Sequence, residues 1–381
     1  MIIKNKKVLK ESFELVIFKV ETEDTQGNLK KGDRKMKQLK VAMLGFGIAG
    51  KAFAEILGQT HNKIMEAKGV DVRVVAITTG SRGSLYCMEG LDLVEATRQM
   101  TESGKFDNNS PTFSSLSSMD VVKTVDYDVV LELTPLNIFT GLPATDHIRE
   151  ALKRGKHVVS ANKGPLAWHY RELRDLAKAN NACFFFETTV MAGTPVFNMA
   201  DNCLQFCKID KIEGILNATT NYILKEMSKD IPISEIMRAG REGGFMEADA
   251  SMDTEGWDAA AKLTVLMNAL MDADITPDLI DRTGINEITT EDINTAKTRG
   301  NVIKLMCRGE RHADGTVTGK VAPEEVPESD VFTDEKLVAV VSLYTDLMGK
   351  LTMMQYGLET TQTGYGVFID TIRVIDTIIC D

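Results

Sequence analysis

Residues 39–50 read LKVAMLGFGIAG. A short, mostly apolar run leads into glycines at 45, 47 and 50, the spacing GxGxxG, and a helical pattern follows from about Ala49 to Ala67. The spacing has a physical reading. Glycine at 45 permits a tight turn, glycine at 47 lets backbone approach a pyrophosphate, and glycine at 50 lets the helix pack on the strand. The helix N-terminus then presents free N–H groups to phosphate. A merely structural turn is the alternative. Between a strand and a helix, the pattern predicts dinucleotide binding by Gly45, Gly47, Ile48, Ala49 and Gly50.

Downstream of this loop, apolar strands alternate with helices. Strands are expected at Asp71–Ile77, Tyr127–Pro135, Lys156–Ala161 and Ala182–Glu187. Helices are expected at about Leu91–Ser103, Pro143–Gly155 and Trp168–Ala179. Such alternation is the signature of a parallel sheet covered on both faces, a Rossmann-type α/β domain. The second strand runs into AITTGSRG, with no acid to read a ribose 2′-hydroxyl but with Thr78, Thr79, Ser81 and Arg82. A guanidinium among hydroxyls suits a 2′-phosphate, so NADP is expected ahead of NAD, a solvated loop arginine being the other reading. Thr134 in LTPLN and Lys163 in SANKG follow strands at the edge where open α/β sheets bind ligands. Lys163 is expected in a loop there.

After Glu187 the alternation ends. A strand and helix over Ile209–Leu224, helices at Ser234–Gly243 and Gly256–Met271, a hairpin over Val338–Gly357 and a final helix at Gln362–Ile378 predict an α+β second domain. The expected division is an extension over 1–38, a dinucleotide domain over 39–187 and 357–381, and a second domain over 188–356.

Within that second domain, GWDAAAKLTVLMNALM places Asp258 and Lys262 one turn apart on a helix with little other polarity. Burial opposes a lysine's charge and a neighbouring carboxylate favours it, which makes Lys262 a candidate proton donor. A structural ion pair, preceded by acids that favour the helix dipole, is the competing reading.

Composition narrows the class. The chain has 381 residues and a formal charge of 44 − 55 = −11. An acidic chain without a basic, aromatic-laced stripe is a poor partner for nucleic acid. No apolar run reaches membrane-spanning length, and the N-terminus lacks the apolar core of a secretory signal. Six cysteines form no CxxC pair or zinc spacing, so a reducing cytoplasm is expected. Residues 1–40 hold eleven Lys or Arg and six Asp or Glu, reading as a solvated linker without chemistry.

Several motifs in order, GFGIAG, LTPLNIFTG, VVSANKGPLA, ETTVMAGTP, ILNATTNYIL and above all EADASMDTEGWDAAAKL, resemble homoserine dehydrogenase, from about Leu39 to about Asp376. The resemblance implies interconversion of L-aspartate 4-semialdehyde and L-homoserine with NAD(P), a step in threonine, methionine and isoleucine biosynthesis, by a homodimer, and it assigns substrate binding and dimerisation to the domain over 188–356. It implies catalysis by Lys262 and Lys163 with Asp258. It implies substrate binding by Glu247, Asp253, Asp258, Asn217 and Thr219. It also implies a monovalent cation such as Na+ on backbone oxygens of Glu187, Val190, Ala192 and Thr194. The alternatives are an oxidoreductase of the same fold for another amino-acid aldehyde or ketone, and a catalytically silent NADP-binding sensor. Three departures stand out. Ala218 replaces a glycine in NAT, which is costly if that position needs a positive φ. YGLETTQTGYG lacks most of the family's glycines and brings Glu359 towards the cofactor. The chain stops at Asp381, so feedback by threonine through a C-terminal regulatory domain is not expected.

Overall fold

The structure, a computed structural model, describes residues 36–229, 231–243, 249–357 and 359–380. Glu247 and most of the N-terminal extension lie outside the described residues. The first half runs β1 (Lys37–Leu44), α1 (Ile48–Lys68), β2 (Val70–Thr78), β3 (Ser84–Tyr86), α2 (Leu93–Glu102), β4 (Phe113–Ser114), α3 (Ser118–Thr124), β5 (Val129–Glu132), α4 (Ala144–Lys153), β6 (His157–Ser160), α5 (Lys163–Ala179) and β7 (Phe184–Phe185). The second runs α6 (Val196–Cys203), β8 (Ile209–Ile215), α7 (Ala218–Met227), α8 (Ile233–Glu242), α9 (Ser251–Thr254), α10 (Trp257–Met271), β9 (Asp281–Arg282), α11 (Thr290–Thr298), β10 (Asn301–Arg311), β11 (Val317–Pro327), β12 (Leu337–Thr345), β13 (Gly349–Tyr356) and α12 (Thr360–Cys380).

The first sheet has the order β4-β3-β2-β1-β5-β6-β7. Its five strands from β2 to β7 are parallel, and their central residues 41–44, 74–77, 129–131 and 158–159 are apolar and buried, as cover on both faces requires. The edge differs from the expected all-parallel sheet. β3 and β4 are antiparallel additions of three and two residues, too short to leave a periodicity in the sequence. The strand order reverses on either side of β1, and a ligand crevice belongs at that switch point. Register fixes what meets there: Leu44 pairs with Thr78 and Glu132, and Glu132 with Ser160, so four strands end level.

The second sheet has the order β13-β12-β8-β10-β11-β9. One face packs under α10 with Leu305, Cys307, Val341 and Leu343, and the other carries a small cluster around Met306, Phe332 and Val340. The hairpin β10–β11 has no counterpart in the sequence reading. Lys304 and Arg308 interrupt its apolar alternation, and its facing Gly309 and Gly319 read as strand breakers. They are needed for contact: a Cβ on Gly309 would lie 2.8 Å from Met267 Cγ of α10. The C-terminal helix α12 returns to the first sheet, where Val367, Val374 and Ile375 share a core with Leu39, Phe53 and Leu57. Among the described residues no helix is long and apolar enough to cross a membrane.

The turn after β7 joins the two halves through buried acids. Glu187 accepts N–H groups from Phe197 and Asn198 at 2.8 and 2.7 Å, and its own N–H donates to Asp370 of α12 at 2.7 Å. Burial, then the charge of Glu187, pushes the Asp370 carboxyl up to about 7, against the Glu187 N–H and the Arg373 guanidinium. The folded value lies above the unfolded one. This contribution to stability is therefore fully present below about pH 4 and lost as pH rises through about 7, up to about 4 kcal/mol in all. Thermal unfolding of the wild type minus that of Asp370→Asn should show this fall between pH 4 and 8, and parallel pH profiles would refute it.

Candidate active site

The strand ends assemble a crevice of about 830 Å3 lined by Gly45, Gly47, Thr78, Thr79, Ser81, Arg82, Leu133 and Thr134. Gly45 has φ +102, and a Cβ there would lie 2.6 Å from the Leu133 carbonyl carbon. Gly47 N-caps the 21-residue α1 without a side-chain cap, α1 has no acid in its first turn, and a Cβ on Gly47 would meet nothing within 4 Å. Free amides facing open space suit a pyrophosphate, so the loop fits a dinucleotide. Gly47 and Ile48 are exposed, Ala49 is half-buried and Gly50 is packed under the turn. Thr79 ties the next loop by accepting the Arg82 N–H at 3.0 Å and donating to Gly83 at 2.6 Å. The Ser81 and Arg82 side chains are left exposed at the crevice.

One crevice residue, His147, and the buried acid behind it, Glu132, escaped the sequence reading. Glu132, wholly buried at the end of β5, accepts both the N–H (2.9 Å) and the hydroxyl of Thr134, and its other oxygen meets His147 Nδ1 at 2.9 Å. His147, on α4, lines the crevice. The signal was present as an acid inside an otherwise apolar strand, VVLEL, which only a buried partner explains.

Lys163 is placed differently from the expected loop. It is the first residue of α5, whose N-cap Asn162 accepts from Gly164 N at 3.1 Å and donates to the Thr134 carbonyl at 3.1 Å. The ammonium of Lys163 reaches Asp258 at 3.1 Å. Asp258 lies in the first turn of α10 and meets Lys262 at 2.8 Å, while Lys262 also donates to the Leu216 carbonyl at 2.8 Å. Asn217 splits its amide hydrogens between Asp253 (2.6 Å) and Asp258 (2.8 Å) and caps α7 through Thr220 N. Burial alone would raise the Asp258 carboxyl. The Lys262 and Lys163 charges, with hydrogen bonds from Lys262 and Asn217, outweigh it and hold the group far below the usual carboxylate range. Asp253 goes the other way, raised by burial and then by the Asp258 charge, against hydrogen bonds from Asn217 and Thr219. Lys163, Lys262, Asp253, Asp258, Asn217 and Thr219 thus form one cluster. The two ammonium side chains are 17% and 20% exposed, neither sealed nor free in solvent.

The cluster and the crevice are adjacent rather than shared. Neither lysine lines the crevice, and Asn162 bridges them through Thr134. The loop that follows Thr134 is held by both tryptophans of the chain, one from α5 of the first half and one from α10 of the second. Trp168 donates to the Ile138 carbonyl at 2.7 Å, and Trp257, beside Asp258, meets Phe139 edge-on at 5.5 Å.

The structure places two of the departures. Ala218 opens α7 and is not among the residues of positive φ, so the position accepts alanine without strain. Glu359 lines a separate cavity of about 420 Å3 with Thr194 and Tyr365 and is not among the crevice residues. Glu187, Val190, Ala192 and Thr194 lie on one turn with left-handed Met191 and Ala192. The Glu187 carboxylate is occupied by amides, which leaves only backbone oxygens for a cation. No group of three or more His, Cys, Asp or Glu among the described residues could hold a metal.

Comparison with known proteins agrees with this geometry. The family model for the homoserine dehydrogenase NAD-binding domain matches residues 45–187, and that for homoserine dehydrogenase matches 195–372. Homoserine dehydrogenase of Methanocaldococcus jannaschii is 36% identical over 89% of this chain and 99% of its own length. NAD(+)-dependent homoserine dehydrogenase of Pseudomonas canavaninivorans is 32% identical over 89% and 97%. A hyperthermophilic archaeal homoserine dehydrogenase in complex with NADPH superposes with a TM-score of 0.76 at 27% identity, covering 89% of this chain and 98% of that one. With both halves matched and relatives aligned almost end to end, the chain belongs to the homoserine dehydrogenase family.

Proposed function

We infer that the protein interconverts L-aspartate 4-semialdehyde and L-homoserine with NAD(P), and that the Lys163–Asp258–Lys262 cluster does the acid–base work. One observation carries the assignment of residues: a single carboxylate, Asp258, holds two ammonium groups at 3.1 and 2.8 Å, and Asn162, the cap of the helix that begins with Lys163, is bonded to Thr134 of the crevice. When bound, the nicotinamide supplies or accepts the hydride. The turn of Gly45, Gly47, Ile48, Ala49 and Gly50 would hold the dinucleotide's pyrophosphate, and Thr134 would face its nicotinamide end. Reduction of an aldehyde builds negative charge on its oxygen. The Lys262 ammonium, with one N–H beyond those given to Asp258 and Leu216, stabilises that oxygen and gives it the proton. Lys163 and Asp258 keep the cluster charged and oriented. Asp253, Asn217 and Thr219, with Glu247, hold the amino acid's polar groups. Backbone oxygens of Glu187, Val190, Ala192 and Thr194 take a monovalent cation.

Residues 39–187 with 357–381 serve the cofactor, and 188–356 the substrate and a dimer contact. The sheet face opposite α10, with Arg308, Glu213 and Tyr344 in a polar row, suits a second copy of the chain in a homodimer. The cytoplasm is the expected compartment. Incubation with L-homoserine and NADP+ should yield reduced cofactor. Turnover with other amino-acid alcohols but not with L-homoserine would move the assignment to another substrate.

Relatives are named for both cofactors, so preference is decided by Ser81 and Arg82. The Arg82 guanidinium forms no ion pair among the described residues and is free for a 2′-phosphate. Arg82→Ala should raise KM for NADPH about tenfold, the scale of one charge-assisted contact, and leave KM for NADH unchanged. Equal effects on both cofactors would remove the arginine from this role.

A further inference from the structure

Away from the crevice, α7, α11, β10 and the turn 328–335 enclose a cavity of about 630 Å3. Its floor is Lys304, only 6% exposed. The Lys304 ammonium donates to Asn221 Oδ1 at 2.7 Å and forms no ion pair among the described residues. Two further lysines line the same space. Lys225 donates to the Glu335 carbonyl at 2.9 Å, and Lys297 to the Ser228 carbonyl. All three cations therefore rest on neutral oxygens. Four acids also line the cavity: Asp330 accepts the Phe332 N–H at 3.1 Å, Asp334 takes Lys336 N–H and Tyr356 hydroxyl, and Glu328 and Glu335 are exposed, Glu335 acting on Lys304 by charge without pairing with it. A buried ammonium without a counter-charge is costly, and each has three donors to satisfy. Burial first, then the Lys225 charge, lowers the Lys304 pKa to about 8, against the charge of the exposed Glu335.

We propose that this cavity is a second ligand site, which takes a small oxyanion, an inorganic phosphate or a carboxylate, on Lys304 between Lys225 and Lys297. The site shares no lining residue with the dinucleotide crevice. It is nonetheless connected to the chemistry. Asn221, which holds Lys304, lies one turn along α7 from Asn217, which holds Asp253 and Asp258. An anion seated here bears, through Lys304 and Asn221, on the helix whose cap orders the catalytic acids.

The test is thermal unfolding of the full chain in saturating NADPH, titrated with inorganic phosphate in one arm and succinate in the other, chloride holding ionic strength constant. At least one arm should give a saturable rise in Tm, and the arm that does identifies the anion. Lys304→Met removes the charge and keeps the apolar stem. It should fold as stably as the wild type and weaken the anion response at least tenfold. Lys297→Gln, nearer the rim, should weaken it several-fold and stands in if Lys304→Met does not fold. Lys262→Met should keep the response, which separates this cavity from the catalytic cluster. The proposal is overturned by a linear response in both arms, by a response that survives Lys304→Met or, where that variant does not fold, Lys297→Gln, or by one that disappears in Lys262→Met.

Discussion

Replacing Lys262 with methionine is expected to lower kcat for aspartate-semialdehyde reduction by at least about a hundredfold, the scale of a lost proton donor and oxyanion partner. KM for the cofactor should stay within about twofold, because Lys262 does not line the crevice. The methionine preserves the stem's packing among Ala259, Val265 and Leu266, so the loss is of charge and not of fold. Asp258 keeps Lys163 and Asn217 as partners and stays ionised. Arginine at 262 should not restore the rate, since a guanidinium does not surrender its proton. Steady-state kinetics decide the matter: a variant within threefold of wild type would make the Asp258–Lys262 pair structural and leave Lys163 as the remaining candidate.

How much of this could be read in the chain depends on which physical signal each residue leaves. The glycine loop and the buried parallel strands leave strong local patterns, and both appear within one to three residues of their expected bounds, β5 ending three residues early. The Asp258–Lys262 pair was visible because an i, i+4 spacing on a helix is itself a contact. The join between Lys163 and Asp258 was not, because the two lie 95 positions apart and meet only where the N-termini of α5 and α10 converge. Lys163 reads as a loop residue because SANKGP resembles a turn, yet Asn162 is an N-cap and proline is tolerated in a helix's first turn. Glu132 and His147 sit 15 positions apart on different elements, and β10–β11 hides its alternation behind paired glycines and lysines. Contacts long in sequence, and strands whose polar residues are satisfied by tertiary partners, leave no periodic trace.

The same connectivity gives Gly45→Ala an effect larger than its one added methyl suggests. At φ +102 an L-residue is strained, and the new Cβ would press into the Leu133 carbonyl group, 2.6 Å from its carbon and 3.0 Å from Thr134 N. Neither side can yield cheaply. Gly45 N–H is bonded to Thr78 at 2.8 Å, and Leu133 N–H to Leu44 at 2.7 Å, so retreat breaks the ladder at the end of β1 or of β5. A loss of about 2–3 kcal/mol of stability is expected, visible as a lowered Tm. The displacement does not stop there. Leu133 carries Thr134, whose carbonyl holds Asn162, which caps the helix that begins with Lys163. Gly45→Ala should therefore raise KM for the cofactor at least about tenfold and lower kcat as well, although Gly45 belongs to the cofactor turn. Gly47→Ala supplies the contrast: its Cβ meets no protein atom within 4 Å, so it should keep the wild-type Tm and kcat and lose only cofactor affinity. If the two variants behave alike, the path from the glycine turn through Thr134 and Asn162 to the lysine does not couple the sites, and the crevice and the cluster act independently.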